Sequence, residues 1–452
     1  MAQHTVNPEK VFYNYGGKLP PAPLEETAAV MPPASEKTHP KKITDTTLRD
    51  GTQDSRIALF PVETRVAYYD LLHELDNDTG TIEQMETFIY QKRDVWALEQ
   101  ILARGYRYPQ VTTWTRATPK DIRLMVDVTQ GRVKETGMLA SSSDHHIFDK
   151  LRFRTKEQAI EDYLDPVMTA CEHNITPRVH LEDTTKADIY GWVIPFMQRV
   201  LKETEGKAKF RICDTIGWGT PDPYAALPFG VPKLITTLHQ ETGAELEFHG
   251  HNDFGLATAN SLAAWRYGCK RVNTAFAGLG ERTGNTSLEQ MLVNYIRLYG
   301  DPGLRLDKLS AIADLIDRTV IKLAANSPII GEVFTTQSGI HQTGVARQGD
   351  AEGGLIYLAF DPGVIGREGI ETNRVGALSG MDGIVSVLNR HSAGGYTVTS
   401  RAVKHVYDAI QDAYDGDLDP AARVAKNYRT TFFTAEEVVQ MAEGFQRARS
   451  RD

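Results

Sequence analysis

LEFHGHNDFGLATANSLAAWRYGCKRVNTAFAG, residues 246–278, decides the fold. LEFHGHN (246–252) alternates apolar and polar side chains with the period of two that a strand imposes. LATANSLAAWRYG (256–268) then sets apolar residues three and four apart, the spacing of one helix face. RVNTAFAG (271–278) returns to strand composition. Strand, helix and strand in one short run make a βαβ unit, whose two strands lie parallel.

Outward from this unit the same alternation recurs. Strand candidates are KKITDTTL (41–48), TGTIEQMETFI (79–89), QVTTWTR (110–116), KETGMLASS (134–142), TPRVHLED (176–183) and KFRICDT (209–215), with the two above completing eight. Helix-length segments separate them, EQAIEDYLDPVMTACEH (157–173) being the clearest of the others. Eight such repeats in about 250 residues are the arithmetic of an α/β fold, the (β/α)8 TIM barrel. A doubly wound sheet is disfavoured, since no GxGxxG follows the first strand. Residues 1–40 are rich in Pro, Ala and Glu without sustained periodicity and read as an N-terminal arm or linker. The barrel is expected over 41–305, and a mostly helical C-terminal region over 306–452.

Composition narrows the function. The 452 residues are 41% hydrophobic and 24% charged, an ordinary globular balance with ample chain for a core. Lys and Arg number 50 against 59 Asp and Glu, a formal charge of −9, which argues against a nucleic-acid partner. No apolar run approaches the length of a membrane span. The start, MAQHTVNPEK, lacks the basic and apolar regions of a secretory signal. Cys171, Cys213 and Cys269 are odd in number and scattered, so a reducing, cytoplasmic location is expected.

Active sites of such barrels occupy the C-terminal ends of the strands, and polar residues with chemical capability collect there. The first strand runs into Arg49, Asp50 and Gln53; the second carries Glu83 and Glu86; the third ends at Arg116. His146 follows the fourth, Glu182 ends the fifth, and Thr215 follows Asp214 on the sixth. His249 and His251, two apart on one strand, share a face. With one carboxylate they form a two-histidine, one-carboxylate set that leaves coordination positions open for substrate, and Asp50 is the natural third member. Arg49 has two readings: a salt bridge to Glu83 or Asp45, or, favoured here, an electrophile that stabilises a developing oxyanion. Gly278, Gly280 and Gly284, with Arg282 among them, make a tight loop after the eighth strand. Cys213 reads as a small buried hydrophobe.

TDTTLRDGTQ (44–53), HGHNDFGLATANSLAA (249–264) and GLGERTGNTSLEQ (278–290), in this order, resemble the DRE-TIM metallolyase superfamily. SGIHQTGVAR (338–347) and YLAFDPGVIG (357–366) are similar to the C-terminal segment of its Claisen-condensing acyltransferases, the isopropylmalate and homocitrate synthase branch. GTIEQMETFIYQKRD, VTTWTRA, SDHHIFDKL and CDTIGWGTPDPYAALPFGVP look more like Re-type citrate synthases and the 2-phosphonomethylmalate and 2-phosphinomethylmalate synthases. The resemblance implies condensation of acetyl-CoA with an oxaloacetate-like 2-oxo diacid, with release of CoA. Homocitrate, isopropylmalate or citramalate synthesis, or a metal-dependent retro-aldol cleavage, are the alternatives. It further implies a divalent metal (Mn, Zn, Co or Mg) held by Asp50, His249 and His251, with Asn285 as a further ligand or as a support to the ligands. Arg49 would polarise the thioester, and Glu182, His341 and Tyr357 would share the catalytic roles, the last two as the base. Gln53, Glu83, Arg116, His146, Thr215 and Glu281 would contact substrate. A homodimer is implied, each C-terminal region reaching over the partner's barrel.

Overall fold

The computed structural model describes residues 41–347, 357–419, 421, 424 and 428–449. The expected N-terminal arm, 1–40, lies outside them. Eight strands form: β1 Lys42–Asp45, β2 Ile82–Thr87, β3 Gln110–Arg116, β4 Glu135–Ser141, β5 Thr176–Glu182, β6 Lys209–Asp214, β7 Leu246–Gly250 and β8 Arg271–Thr274. Each pairs in parallel with the next, and β8 pairs with β1, closing the barrel. Helices α1 (Val62–Asp76), α2 (Lys92–Ala103), α3 (Pro119–Thr129), α4 (Lys156–Glu172), α5 (Ile194–Glu203), α6 (Val231–Thr242), α7 (Ala257–Tyr267) and α8 (Leu288–Tyr299) follow the strands in turn. The fold is the (β/α)8 TIM barrel.

Period-two alternation sorts every strand into two faces. Ile43, Ile82, Met138, Val179, Leu181, Phe210, Ile212, Phe248 and Val272 are fully buried and supply the apolar layer under the helices. The opposite face fills the barrel with charge. Arg211 of β6 donates to both Glu86 oxygens at 3.1 Å and, through Nε, to Glu247 Oε2 at 2.9 Å. Arg178 of β5 donates to Glu247 Oε2 and Gln84 Oε1, both at 3.0 Å. Buried charges persist only when paired and hydrogen-bonded, and here each has partners on several strands.

Three strands are shorter than their sequence patterns suggest by four residues or more. KKITDTTL ends as strand at Asp45, because Arg49 N and Gly51 N both donate to Thr46 O, at 3.0 and 3.1 Å, and turn the chain. TGTIEQMETFI starts as strand at Ile82, after Gly80 in left-handed backbone. RVNTAFAG stops at Thr274, and Phe276–Gly278 forms a short 3-10 turn.

The chain divides into two compact units between Ala324 and Ala325. The first extends past residue 305 because α9 (Lys308–Thr319) packs on α1, burying Leu309, Ile312, Ala313 and Ile316. The second contains α10 (Gly339–Ala346), α11 (Met381–His391), α12 (Arg401–Asp415) and α13 (Ala435–Arg449). Its core joins Ile384, Val387 and Leu388 to Val403, Val406, Ile410 and Val438. Among the described residues no helix is long and apolar enough to cross a membrane.

Candidate active site

The turn after β1 brings Asp50 against the end of β7. Asp50 Oδ2 lies 3.5 Å from His249 Nε2 and 3.8 Å from His251 Nε2. The two imidazoles meet Nε2 to Nε2 at 3.2 Å, one on each side of Gly250, as the shared face requires. The ligand atoms of all three lie within 4.8 Å of one another, and all three residues are buried.

The glycine loop after β8 folds along this row. Asn252 N donates to Gly284 O at 2.9 Å and Thr286 N to Gly250 O at 3.1 Å, which sets Asn285 opposite His251. Gly284 is required there: its φ is +92° and a Cβ would fall 1.9 Å from Gly278 O. Asn285 spends its amide on Leu279 O at 2.8 Å, so the atom left over is an oxygen.

Arg49 donates through Nη1 to Asp50 Oδ2 at 2.9 Å and through Nε to Glu86 Oε2 at 2.7 Å, and lies 6.0 Å from the Trp114 ring centre. Burial opposes charge on Asp50, but Arg49 and then the two imidazoles hold its carboxyl well below the usual carboxylate range. Burial pushes His249 down to about 3, helped by the facing His251, and burial lowers His251 as well. Both rings are therefore neutral near pH 7, with lone pairs to offer. Asp50 Oδ1 and Asn285 Oδ1 are buried with no hydrogen-bond partner. Two neutral imidazoles, a carboxylate and an amide oxygen, with two oxygens left unsatisfied, fit a divalent cation.

On the other side of the mouth, Glu182 ends β5. It accepts from Lys150 Nζ at 2.9 and 3.0 Å and from the Ser141 hydroxyl, and meets His146 Nδ1 at 3.1 Å. Against the cost of burial, His146, Ser141 and Lys150 hold its carboxyl down at about 2. A π-helical turn, His145–Lys150, presents both His146 and Lys150. Thr215 Oγ1 accepts from Asp183 N at 2.8 Å, and its carbonyl accepts from Arg282 at 2.6 Å.

Not every expected residue joins this group. Arg49 pairs with Glu86 and Asp50 rather than with Glu83 or Asp45. Glu83 is instead the extra residue of a bulge, between the pairs Ile43–Ile82 and Thr44–Gln84. That bulge turns it to Arg271 at the start of β8, at the end of the barrel away from the mouth. Asp45 accepts from Thr47 and Tyr68. Arg116 is exposed and forms a two-point pair with Asp121, at 2.7 and 3.2 Å, while stacking over Tyr90. Gln53 and Glu281 are exposed. In the second unit His341 and Tyr357 stack, ring centres 4.2 Å apart. Cys213 is buried and its thiol is raised by that burial.

The sequence reading gave His180, at the end of the fifth strand, no role and passed over Trp114, Arg178, Arg211 and Asn273. His180 is buried beside Glu86, at 3.7 Å, with Nε2 unpartnered; Gly137 leaves the room, since a Cβ there would fall 2.4 Å from the ring. The available signal was a charged or amide residue at an inward position of a buried strand, as in TPRVHLED, KFRICDT and RVNTAFAG.

A family model described as HMGL-like matches residues 41–316. The chain is 40% identical over 361 residues to a citrate (Re)-synthase of Clostridium kluyveri, covering 77% of this chain and 76% of that one. It is 35% identical over 319 residues to a 2-phosphinomethylmalate synthase of Streptomyces hygroscopicus, covering 68% and 71%. Among solved structures, a hydroxymethylglutaryl-CoA lyase from Pseudomonas aeruginosa superposes with a TM-score of 0.50 at 20% identity, over 62% of this chain and 93% of that one, a likeness of fold alone.

Proposed function

The chain belongs to the HMGL-like family, and from that premise we propose that it is an acyltransferase that condenses acetyl-CoA with an oxaloacetate-like 2-oxo diacid and releases CoA. The two curated relatives named above are a citrate (Re)-synthase and a 2-phosphinomethylmalate synthase, which supports an acetyl-CoA-dependent condensation. The observation that carries the reading is the adjacency of Arg49 to Asp50, His249 and His251, an electrophile beside a cation-binding set.

A divalent ion bound there would act as a Lewis acid on the keto oxygen and carboxylate of the acceptor. The chain's own residues do the rest. Arg49, fixed by Glu86 and Asp50, offers its remaining guanidinium donors to the thioester oxygen, where enolate charge develops as a methyl proton leaves. We assign that proton to His341, assisted by Tyr357, on the resemblance of the segment that carries them. An imidazole nitrogen can take up and return a proton, which is what a general base does. The new carbon–carbon bond forms at the keto carbon, and water then cleaves the thioester. Glu182, ionised and held by Lys150 and His146, places charge and donors on the acceptor's side of the mouth. Arg116, Glu281 and Gln53, all exposed, are rim residues in this reading.

The test is thiol release from acetyl-CoA in the presence of Mn²⁺, with oxaloacetate, phosphonopyruvate, 2-oxoglutarate, 2-oxoisovalerate and pyruvate offered in turn. Turnover with oxaloacetate or phosphonopyruvate is expected. Turnover only with a branched or monocarboxylic acid would move the assignment to isopropylmalate or citramalate synthesis. Cleavage of a hydroxy-acyl thioester without condensation would make it a lyase.

A further inference from the structure

The register of β7, β8 and β1 sets His249, Asn273 and Thr44 side by side: His249 pairs with Asn273, and Asn273 with Thr44. Their side chains form one chain of hydrogen bonds. His249 Nδ1 meets Asn273 Oδ1 at 2.8 Å, Asn273 Nδ2 meets Thr44 Oγ1 at 2.9 Å, and Thr44 Oγ1 meets Glu247 Oε1. All four residues are buried.

This chain has a direction, and the direction follows from its far end. Glu247 lies between Arg211 and Arg178, whose Nε and Nη1 donate to Oε2 at 2.9 and 3.0 Å. Between two guanidiniums it is a carboxylate, which only accepts. Thr44 must therefore give it the hydroxyl proton; the other acceptor in reach, Val272 O, is at the 3.5 Å limit. With its proton committed, Thr44 Oγ1 has only lone pairs for Asn273, so Asn273 turns its NH₂ to Thr44 and its carbonyl to His249. That carbonyl accepts only from an N–H. His249 must then carry its proton on Nδ1, leaving Nε2, the atom that faces His251 and Asp50, as a bare lone pair.

We propose that Glu247 and Thr44 are positioning residues that write the tautomer of His249, and so hold its Nε2 ready for a cation, through the amide of Asn273. Neither touches the cation set. The proposal rests on the metal reading above only for its purpose; the tautomer itself is a property of the metal-free protein. The physical cost avoided is plain: the opposite tautomer would aim an N–H at the cation position, and a coordinating imidazole needs its lone pair there.

Thr44→Val keeps the shape and removes both the donor to Glu247 and the acceptor for Asn273. Either orientation of the Asn273 amide then leaves one group unsatisfied, so the amide is free to flip. Thr44→Ser keeps the hydroxyl. Long-range ¹H–¹⁵N correlation spectra of metal-free, ¹⁵N-histidine-labelled protein read the tautomer of His249 directly, its signals identified by their loss in His249→Gln. Wild type and Thr44→Ser should show protonated Nδ1, and Thr44→Val a mixture or the Nε2–H form. Titration with Mn²⁺ alone should show affinity about 10- to 100-fold weaker in Thr44→Val and close to wild type in Thr44→Ser.

Wild-type protein carrying its proton on Nε2, or Thr44→Val with wild-type tautomer and affinity, would overturn the proposal. Wild type that binds no Mn²⁺, yet shows the Nδ1–H form, would sink the metal reading and leave the relay standing. Should Thr44→Val fail to fold, Asn273→Asp decides: its carboxylate cannot donate, so the Nδ1–H form must persist, and its loss would overturn the relay.

Discussion

His249 and His251 hold their Nε2 atoms 3.2 Å apart at the end of a strand in which every residue is buried. Two neutral imidazoles that close present two lone pairs to one another unless a proton or a cation lies between them. Asp50, ionised and 3.5 and 3.8 Å away, favours the positive occupant. Saturating Mn²⁺ or Zn²⁺ should therefore stabilise the folded chain, by about 2.7 kcal/mol at a hundred times the dissociation constant. His251→Ala should lose that gain, the bound metal and turnover together, while its melting without metal remains cooperative. Scanning calorimetry with metal analysis checks this; an equal rise in Tm in the variant would place the ion elsewhere.

Arg49 spends one guanidinium on two carboxylates, Glu86 and Asp50, from two different nitrogens. A lysine ammonium gathers its three donors on one nitrogen and cannot reproduce that planar fork of separate nitrogens. Arg49→Lys should lower kcat by about 10²- to 10³-fold, the loss typical of one oxyanion donor, with metal content unchanged. A Lys variant within a few-fold of wild type would mean that charge alone, without the planar fork, serves the reaction.

The barrel and its mouth were legible because they follow from local pattern. Eight period-two runs separated by helical ones give the fold, and His249-Gly250-His251 needs only one strand to put both rings on one face. What stayed hidden depends on closure. Thr44 and Asn273 are 229 residues apart in sequence and become neighbours only when β8 pairs with β1. Arg211 meets Glu86 across the barrel, a contact that no single strand predicts. Glu83 and Glu86 looked alike in TGTIEQMETFI, and the bulge at Glu83 separates them, sending one to Arg271 and the other to Arg49.

Glu289, at the start of α8, pins the base of the glycine loop: it accepts from Ala277 N at 3.0 Å and from the Ser287 hydroxyl. Burial raises its carboxyl to about 7 from 4.5. A carboxyl whose folded pKa is raised binds its proton more tightly when folded. Its stabilising contribution is complete below about pH 4.5 and is lost as pH rises through 7. Wild type should thus lose stability relative to Glu289→Gln between these values, by an amount on the order of 3 kcal/mol. Denaturant midpoints of both proteins across that range test it. A pH-independent difference would mean that Glu289 does not change protonation on folding.

The assembly expectation can be tested without a structure of the assembly. His341 carries the proposed base function, so His341→Ala should cost at least about 10²-fold in rate with metal content intact. His251→Ala should lose the metal instead. If each site combines the barrel of one chain with the C-terminal segment of its partner, an equal mixture after subunit exchange contains heterodimers in which one site has both histidines and the other neither. Statistical pairing then restores about a quarter of the wild-type sites. If one chain supplies both groups, every site in every dimer lacks one of them, and no activity returns. Exchange has to be verified independently, by mass-tagged subunits. Verified exchange without recovery would assign the base to the same chain as the metal ligands; recovery near a quarter would establish a shared site.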